Sequence, residues 1–140
     1  MTSPLSHDER VEISRRTMWL LEEWAVAPGD QIRILGLPDG TRSRELRKYR
    51  DATPLPDDPN VTARVIHLLE IDEALRTTYP RNRRMGSRWM QTPSRHFRGR
   101  RPAERLTDGL EGIVSVRAYL DCTYAWDLSG SANTSCKPGG

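Results

Sequence analysis

The sequence predicts an all-α protein, in which an N-terminal helix-turn-helix precedes a second helical unit. Apolar residues recur at helical spacing along most of the 140 residues. Proline and glycine divide these periodic segments from one another. No segment alternates polar and apolar residues with the period of two that a half-buried strand shows, and no apolar run approaches the ~20 residues of a membrane span.

Three helices are predicted in the first half of the chain, residues 1–52. The apolar positions of the first helix end at Pro28-Gly29, and Gly36 ends the second. Leu37-Pro38-Asp39-Gly40 has the residue types of a tight turn. The predicted helices cover residues 13–25, 30–35 and 41–50. The proline-rich segment DATPLPDDPN then marks the predicted boundary between the two halves.

The second half, residues 57–127, begins with the clearest helix of the sequence. Asp58 is a suitable N-cap and Pro59 a suitable first residue, and Pro80 ends the helix. Its apolar stripe is Val61, Val65, Leu68, Leu69 and Leu75, with Asp72 in register. Further helices are predicted over 85–91, 102–108 and 110–126. Beyond Leu128 the chain has no apolar anchor, and we expect residues 128–140 to form a flexible tail.

The charge is unevenly distributed. The chain carries a net charge of +3, yet residues 81–105 contain nine arginines and one acid, Glu104, and so carry +8 against −5 for the remainder. A basic region on a mildly acidic body predicts an anionic partner, either nucleic acid or an acidic protein surface. A solvated basic face is the alternative.

We find no pattern typical of an enzyme, a cofactor site or a metal site. The histidines, His7, His67 and His96, are not arranged with a nucleophile, and no glycine-rich phosphate loop is present. Cys122 and Cys136 lack metal-ligand spacing. The N-terminus has no features of a secretory signal. We therefore expect a reduced, cytoplasmic, non-enzymatic protein.

The second and third predicted helices have the order of a helix-turn-helix, in which the second helix enters the DNA major groove. On this interpretation the outward, DNA-binding residues are Arg42, Arg44, Arg47 and Lys48. Arginine reads guanine edges, and Lys and Arg contact phosphates. An ordinary helix pair with a solvated basic face is the alternative.

Several short motifs of the second half occur in the order of a known family. The chain contains SRWMQTP, GRRPAERL, DGLEG and VRAYL after ARVIHLLEIDEAL. Together, over about residues 15–125, these resemble the Xre/ParS/MbcA-type antitoxins of RES–Xre toxin–antitoxin modules, with their W-[LM]-x-x-P, G-x-x-P and G-x-x-x-V-x-x-x-L patterns. The matching residues are Trp89, Met90, Pro93, Gly99, Pro102, Gly112, Val116 and Leu120. The turn before the third helix is longer than is usual in this family.

The resemblance implies an antitoxin that binds a RES-type, NAD-degrading toxin, obstructs its active site and represses its own promoter. A homodimer or a larger hetero-oligomer with the toxin is expected. Because arginines pair bidentately with carboxylates, we predict a toxin-binding face within the basic segment. Its predicted residues are Arg95, Arg98, Arg100, Arg101 and Arg105. Trp89, Pro93, Gly99, Pro102 and Gly112 are expected to be structural.

Two other functions remain open at this stage. One is a stand-alone helix-turn-helix regulator of transcription without a toxin partner. The other is a small adaptor that uses the helix-turn-helix for protein contacts only. For residues 129–140, the resemblance implies either an extension that adds to the obstruction of the toxin or a spectator segment.

Overall fold

The structure is a computed structural model that describes residues 5–129, with side chains as far as Cys122. Within this range the chain forms seven α-helices and no strand, which confirms the predicted all-α class. The helices are α1 (His7–Glu23), α2 (Pro28–Leu35), α3 (Leu46–Arg50), α4 (Pro59–Thr78), α5 (Arg83–Met90), α6 (Pro102–Arg105) and α7 (Leu110–Ser129). Short 3₁₀ segments occupy Ser43–Glu45, Arg95–Phe97 and Leu106–Asp108.

Helix α1 begins six residues before the predicted start at Ile13. Ser6 is its N-cap: the Ser6 hydroxyl accepts from the Glu9 amide at 3.1 Å, and the Glu9 carboxylate accepts from the Ser6 amide at 3.0 Å. This capping box satisfies two donors that a helix start otherwise leaves free. Its hydrogen bonds lower the pKa of Glu9. The apolar periodicity alone could not reveal a start made by polar residues.

The predicted helix over Thr41–Arg50 is only partly formed. Gly40 has a positive φ of 88°, and Arg42 is extended (φ −94°, ψ 148°). A 3₁₀ segment, Ser43–Glu45, then leads into the five-residue α3. The continuous helix predicted here is wrong, because the turn after α2 extends as far as Arg42.

The start and end of helix α4 match the prediction, but its buried face includes Ile71, whereas Leu69 of the predicted stripe is only half-buried. The Asp58 carboxylate caps it by accepting from the amides of Asn60 (2.7 Å) and Val61 (3.3 Å), and Pro59 is its first residue. Its buried face packs against α7, which contributes three buried hydrophobic side chains within the described range. The buried residues of α4 are Val61, Val65, Leu68, Ile71, Asp72 and Leu75, and those of α7 are Ile113, Val116 and Leu120.

One hydrophobic core joins the two halves of the chain. The same cluster of buried side chains includes Met18 of α1, Ile34 of α2, Leu68 of α4, Met90 of α5 and Ile113 of α7. Because residues of both halves share this cluster, each half covers apolar side chains of the other. Burial of each large side chain contributes about 1.5–3 kcal/mol to the free energy of unfolding. In the part of the chain that the structure describes, no helix is long and apolar enough to cross a membrane.

A guanidinium closes the C-terminal end of α2. Arg64 of α4 donates through Nη1 to the carbonyl oxygens of Arg33 (3.0 Å) and Ile34 (3.3 Å). Its Nε donates to Asn60 Oδ1 at 3.2 Å. Gly36, which ends α2 with a φ of +71°, allows this approach, since a Cβ there would lie 2.9 Å from Arg64 Nε. Arg64 thereby gives a charged donor to the Ile34 carbonyl and a second donor to the Arg33 carbonyl, which also accepts from the Gly36 amide at 3.1 Å.

The C-terminal end of the described chain differs from the sequence expectations in two respects. Helix α7 continues through Leu128 and Ser129, the first residues of the predicted tail, and residues 130–140 lie outside the described range. Cys122 is disulfide-bonded, so the expectation of reduced cysteines is wrong at this residue. Spacing excluded a metal site but could not decide between thiol and disulfide.

Candidate functional surfaces

Three of the predicted toxin-binding arginines form ion pairs with acidic residues of the same chain. Arg100 forms a bidentate ion pair with Asp108 (2.6 and 3.1 Å) and also donates to the Glu104 carbonyl at 3.1 Å. Arg105 donates to the same Asp108 carboxylate at 2.8 Å. Arg101 pairs with Glu104 at 2.8 Å. These contacts brace the segment that leads into α7.

The ion pairs shift the ionisation of their members. The Arg100 hydrogen bond is the main cause that lowers the pKa of Asp108, and Arg105 lowers it further. Asp108 in turn raises the pKa of Arg100. Arg101 lowers the pKa of Glu104 through hydrogen bonds. Each shift favours the charged form of its group, so Asp108, Glu104 and Arg100 are charged and paired at neutral pH.

Arg83 is also engaged within the protein. Its guanidinium pairs with both carboxylate oxygens of Glu23, each at 3.2 Å, which joins α5 to α1. It also lies 4.7 Å from the ring centroid of Trp19, which is half exposed. The Glu23 hydrogen bond raises the pKa of Arg83. Arg83 therefore fastens α5 onto α1.

Three arginines, one from each of three helices, form ion pairs with the Asp72 carboxylate. Asp72 is buried on α4 and lies 2.7 Å from Arg76, 3.5 Å from Arg16 and 3.9 Å from Arg83. The arginines are each about half exposed, so water stabilises their outer sides. This charge sits in register with the apolar stripe of α4, and its role is to hold α1, α4 and α5 together.

Five arginines of the basic segment remain without an acidic partner within 4 Å among residues 5–122. All five are exposed. They are Arg81, Arg84, Arg88, Arg95 and Arg98. Of the five predicted toxin-binding residues, therefore, Arg95 and Arg98 present uncompensated charge, whereas the other three are paired.

An aromatic cluster lies beside Arg95 and Arg98. Tyr119 of α7 stacks on His96 with ring centroids 4.2 Å apart and also stacks on Trp89 at 6.2 Å. Buried Phe97 meets Tyr119 edge to face at 5.6 Å. His96 is exposed, and Trp89 is half-buried. The cluster joins α5, the 3₁₀ segment Arg95–Phe97 and α7.

The segment 94–100 is a closed loop. At its base the Ser94 amide donates to the Arg100 carbonyl (3.1 Å), and the Gly99 amide donates to the Ser94 carbonyl (2.8 Å). Arg98 at its tip has a φ of +57°, a left-handed conformation that costs a non-glycine residue about 1 kcal/mol or more. Gly99 follows with a φ of +81° and no close neighbour. The loop therefore holds Arg98 outward in a conformation that glycine would adopt more readily.

The other motif residues have distinct local surroundings. Pro102 is buried and begins α6, whereas Pro93 is exposed after α5. Gly112 lies against the backbone of Arg105, so closely that a Cβ would stand 2.0 Å from its carbonyl oxygen. Trp89 takes part in the aromatic cluster described above.

The predicted DNA-binding residues surround α3. Arg42 lies in the extended turn before it, and Arg44 in the 3₁₀ segment, whereas Arg47 and Lys48 lie on the helix itself. All four are exposed, and none has an acidic partner within 4 Å in the described part of the chain. Lys48 lies 5.1 Å from the Tyr49 ring centroid. The four residues form a cationic surface around a helix of only five residues.

Three residues that organise these surfaces were not among the predicted site residues: Asp72, His96 and Tyr119. Asp72 has a visible signal, since it is the one charged residue in an apolar stripe. His96 and Tyr119 are 23 positions apart, and no local pattern indicates that their rings stack. Within the described residues, no cluster of three or more potential metal ligands occurs.

The fold and these surfaces define an all-helical domain with an arginine-rich, aromatic-centred face. Residues 74–123 match the family described as the antitoxin Xre/MbcA/ParS C-terminal toxin-binding domain. Over these residues the chain is therefore similar to the toxin-binding domain of Xre/MbcA/ParS-type antitoxins, which confirms the resemblance predicted from the motifs. The match includes the motif residues from Trp89 to Leu120 and the basic segment. No curated protein and no solved structure matches the chain.

Proposed function

We propose that this protein is an antitoxin that binds a cognate RES-type, NAD-degrading toxin and obstructs its active site. The match of residues 74–123 to a toxin-binding domain is the observation that carries this proposal. The resemblance of the motifs to RES–Xre modules supports the class of toxin. In this role the protein is a stoichiometric, non-enzymatic inhibitor that uses no cofactor and acts in the cytoplasm.

The charge distribution supports a protein partner with an acidic surface. Exposed arginines without internal partners are available for carboxylates, and charge-assisted pairs between guanidinium and carboxylate are among the stronger polar contacts. Removing the toxin should therefore leave the antitoxin folded, because the arginines that brace its structure are paired internally.

Co-expression with the adjacent gene tests the antitoxin proposal. We expect that gene to encode a RES-type toxin, growth to be restored when both proteins are made, and the two to co-purify. Cellular NAD, measured with and without the antitoxin, reports inhibition directly. Light scattering of the purified complex tests whether it is built on an antitoxin homodimer or is a larger hetero-oligomer, as we propose. Normal NAD loss despite equal antitoxin would contradict the inhibitor role.

We also propose that the protein represses its own operon by binding promoter DNA through Arg42, Arg44, Arg47 and Lys48. These are exposed cations around a short helix that follows α2. Binding should weaken steeply with salt, since each phosphate contact releases counterions. Replacing Arg44 and Arg47 by alanine should remove the preference for the promoter before it removes all binding.

The matched control for the DNA experiment is the pair Arg95→Ala and Arg98→Ala, which removes the same charge from the other cationic surface. Gel-shift titrations with promoter and random fragments measure both variants. Equal affinity of the wild-type protein for the two fragments would show that the long turn before α3 prevents sequence-specific recognition.

The second candidate function is a stand-alone regulator of transcription. The cationic surface around α3 is the observation that favours it. Promoter binding in the absence of any toxin gene nearby would support this function over the antitoxin role.

A further inference from the structure

The arginines of the basic segment fall into two groups with different uses. Arg83, Arg100, Arg101 and Arg105 are paired with acids of the same chain. Removing their charges would disturb the fold. Those without acidic partners in the described range are free to meet another molecule, and two of them, Arg95 and Arg98, lie on the closed loop 94–100.

The backbone of this loop gives an independent reason to assign it a function. Arg98 adopts φ +57° although glycine would occupy the position without strain. Ala25, with φ +58°, is the only other non-glycine residue with a positive φ in the described chain. Strained conformations that persist cluster at binding and catalytic sites, where the strain serves to position a side chain.

The aromatic side chains of the same surface are packed against one another in the protein alone. His96 and Trp89 stack on Tyr119, so their rings are held in place before a partner arrives. Interfaces concentrate their binding energy in arginine and aromatic residues, and preorganised rings lose little conformational entropy on binding. We define the loop patch as Trp89, Arg95, His96, Arg98 and Tyr119.

We propose that the loop patch is the surface that docks the toxin. The matching toxin surface carries carboxylates that receive Arg95 and Arg98 and an apolar or aromatic side chain that packs on His96 and Trp89. The remaining predicted residues, Arg100, Arg101 and Arg105, stay paired with Asp108 and Glu104 and do not contact the toxin. This inference rests on the proposed antitoxin function, and it divides the predicted toxin-binding arginines into contact and supporting residues.

The test uses Arg98→Gly, with Ala25→Gly as the matched control. Both substitutions relieve a left-handed φ, so both should raise the midpoint of urea unfolding. Only Arg98→Gly removes a loop-patch cation. We expect it to weaken affinity for the purified toxin at least about tenfold, as loss of a central interface arginine does, whereas Ala25→Gly keeps wild-type affinity.

A second comparison separates contact from support. Arg100→Ala should lower the unfolding midpoint, because it breaks the Asp108 pair, while the folded protein keeps its affinity within about twofold. Wild-type toxin affinity in Arg98→Gly and in the double variant Arg95→Ala/Arg98→Gly would overturn the proposal.

Two further outcomes have defined meanings. Absence of toxin binding by the wild-type protein would overturn the proposed function itself. Because stacked rings beside arginines also suit single-stranded nucleic acid, a fluorescent oligothymidine is titrated in parallel. Tight oligothymidine binding that Arg98→Gly abolishes, with toxin affinity unchanged, would assign the patch to nucleic acid and overturn the proposal.

Discussion

Gly112 packs directly on the carbonyl group of Arg105. A Cβ at Gly112 would lie 2.0 Å from that oxygen and 3.1 Å from the Asp108 Cβ. The first turn of α7 therefore packs on the backbone of Arg105, the last residue of α6, and beside Asp108 at the end of the following 3₁₀ segment. This close contact fixes the position of α7 relative to α6. A residue without a side chain is the one solution that this geometry allows.

Gly112→Ala should destabilise the protein by about 1–3 kcal/mol, because the backbone that it meets cannot move without displacing α7. The free energy of unfolding in urea measures the effect. Gly29→Ala is the control: no atom lies within 4 Å of its Cβ position, so that substitution should stabilise by about 0.4–1 kcal/mol. Equal effects of both would contradict the packing argument.

Asp72→Asn should cost about 1–3 kcal/mol, since it leaves three guanidinium groups around a neutral, buried amide. The half-exposed arginines regain water, which keeps the loss below that of a fully buried pair. Asp57→Asn, at an exposed position of the loop before α4, is the control and should change stability by less than about 0.5 kcal/mol. Thermal and urea unfolding of both variants measure the difference.

Acid should destabilise the protein in part through Asp108. Arg100 and Arg105 lower the folded-state pKa of Asp108 below its ordinary value of 3.8. A depressed folded pKa contributes stability that is present above the unfolded pKa and is lost as the pH falls through the folded value. The Asp108→Asn variant should therefore be less stable than wild type at pH 6, and the difference should shrink below pH 3.8.

Urea midpoints of the wild type and Asp108→Asn at pH 6, 4.5 and 3 measure this convergence. Raising the salt concentration at pH 6 should narrow the same gap, because the carboxylate is partly exposed. A gap that stays constant from pH 6 to pH 3 would show that the ionisation of Asp108 contributes nothing to stability.

Gly36→Ala should lower the free energy of unfolding by about 1–2 kcal/mol, for two separate reasons. Alanine is strained at the observed φ of +71°, and its Cβ would displace Arg64 from the carbonyls of Arg33 and Ile34. In an Arg64→Ala background only the backbone part should remain, so a double-mutant cycle should give a coupling energy of about 0.5–1 kcal/mol. Additive effects would mean that the two residues act independently.

The sequence could predict the elements whose signals are local. Asp58 and Pro59 indicate the start of α4, and the spacing of Trp89, Met90 and Pro93 indicates a family whose domain matches residues 74–123. Composition also located the basic segment. It could not tell which arginines are paired, because the partner of Arg100 is Asp108, eight positions along the chain and brought near by a change of direction at α6.

The aromatic cluster was beyond sequence reasoning for the same physical reason. Stacking of His96 on Tyr119 requires that the loop 94–100 fold over α7, which depends on the Ser94–Arg100 backbone pair and on two successive left-handed residues. Likewise, the shortened helix after α2 reflects a turn whose length follows from Gly40 and the extended Arg42. Such features arise from backbone geometry, and no periodic pattern of apolar residues in the sequence predicts them.

Arg64 hydrogen-bonds the end of α2, and both halves share one core, so the second half depends on the first for its packing. A fragment that begins near Asp58 would expose apolar side chains that the first half covers, and would lose the helix end that Arg64 neutralises. Loss of binding by such a fragment would therefore reflect misfolding and would not show which half of the chain binds a given partner. The proposed promoter binding and the proposed toxin binding therefore have to be tested separately by point substitutions in the intact chain. Each correctly folded variant should show a single cooperative melting transition.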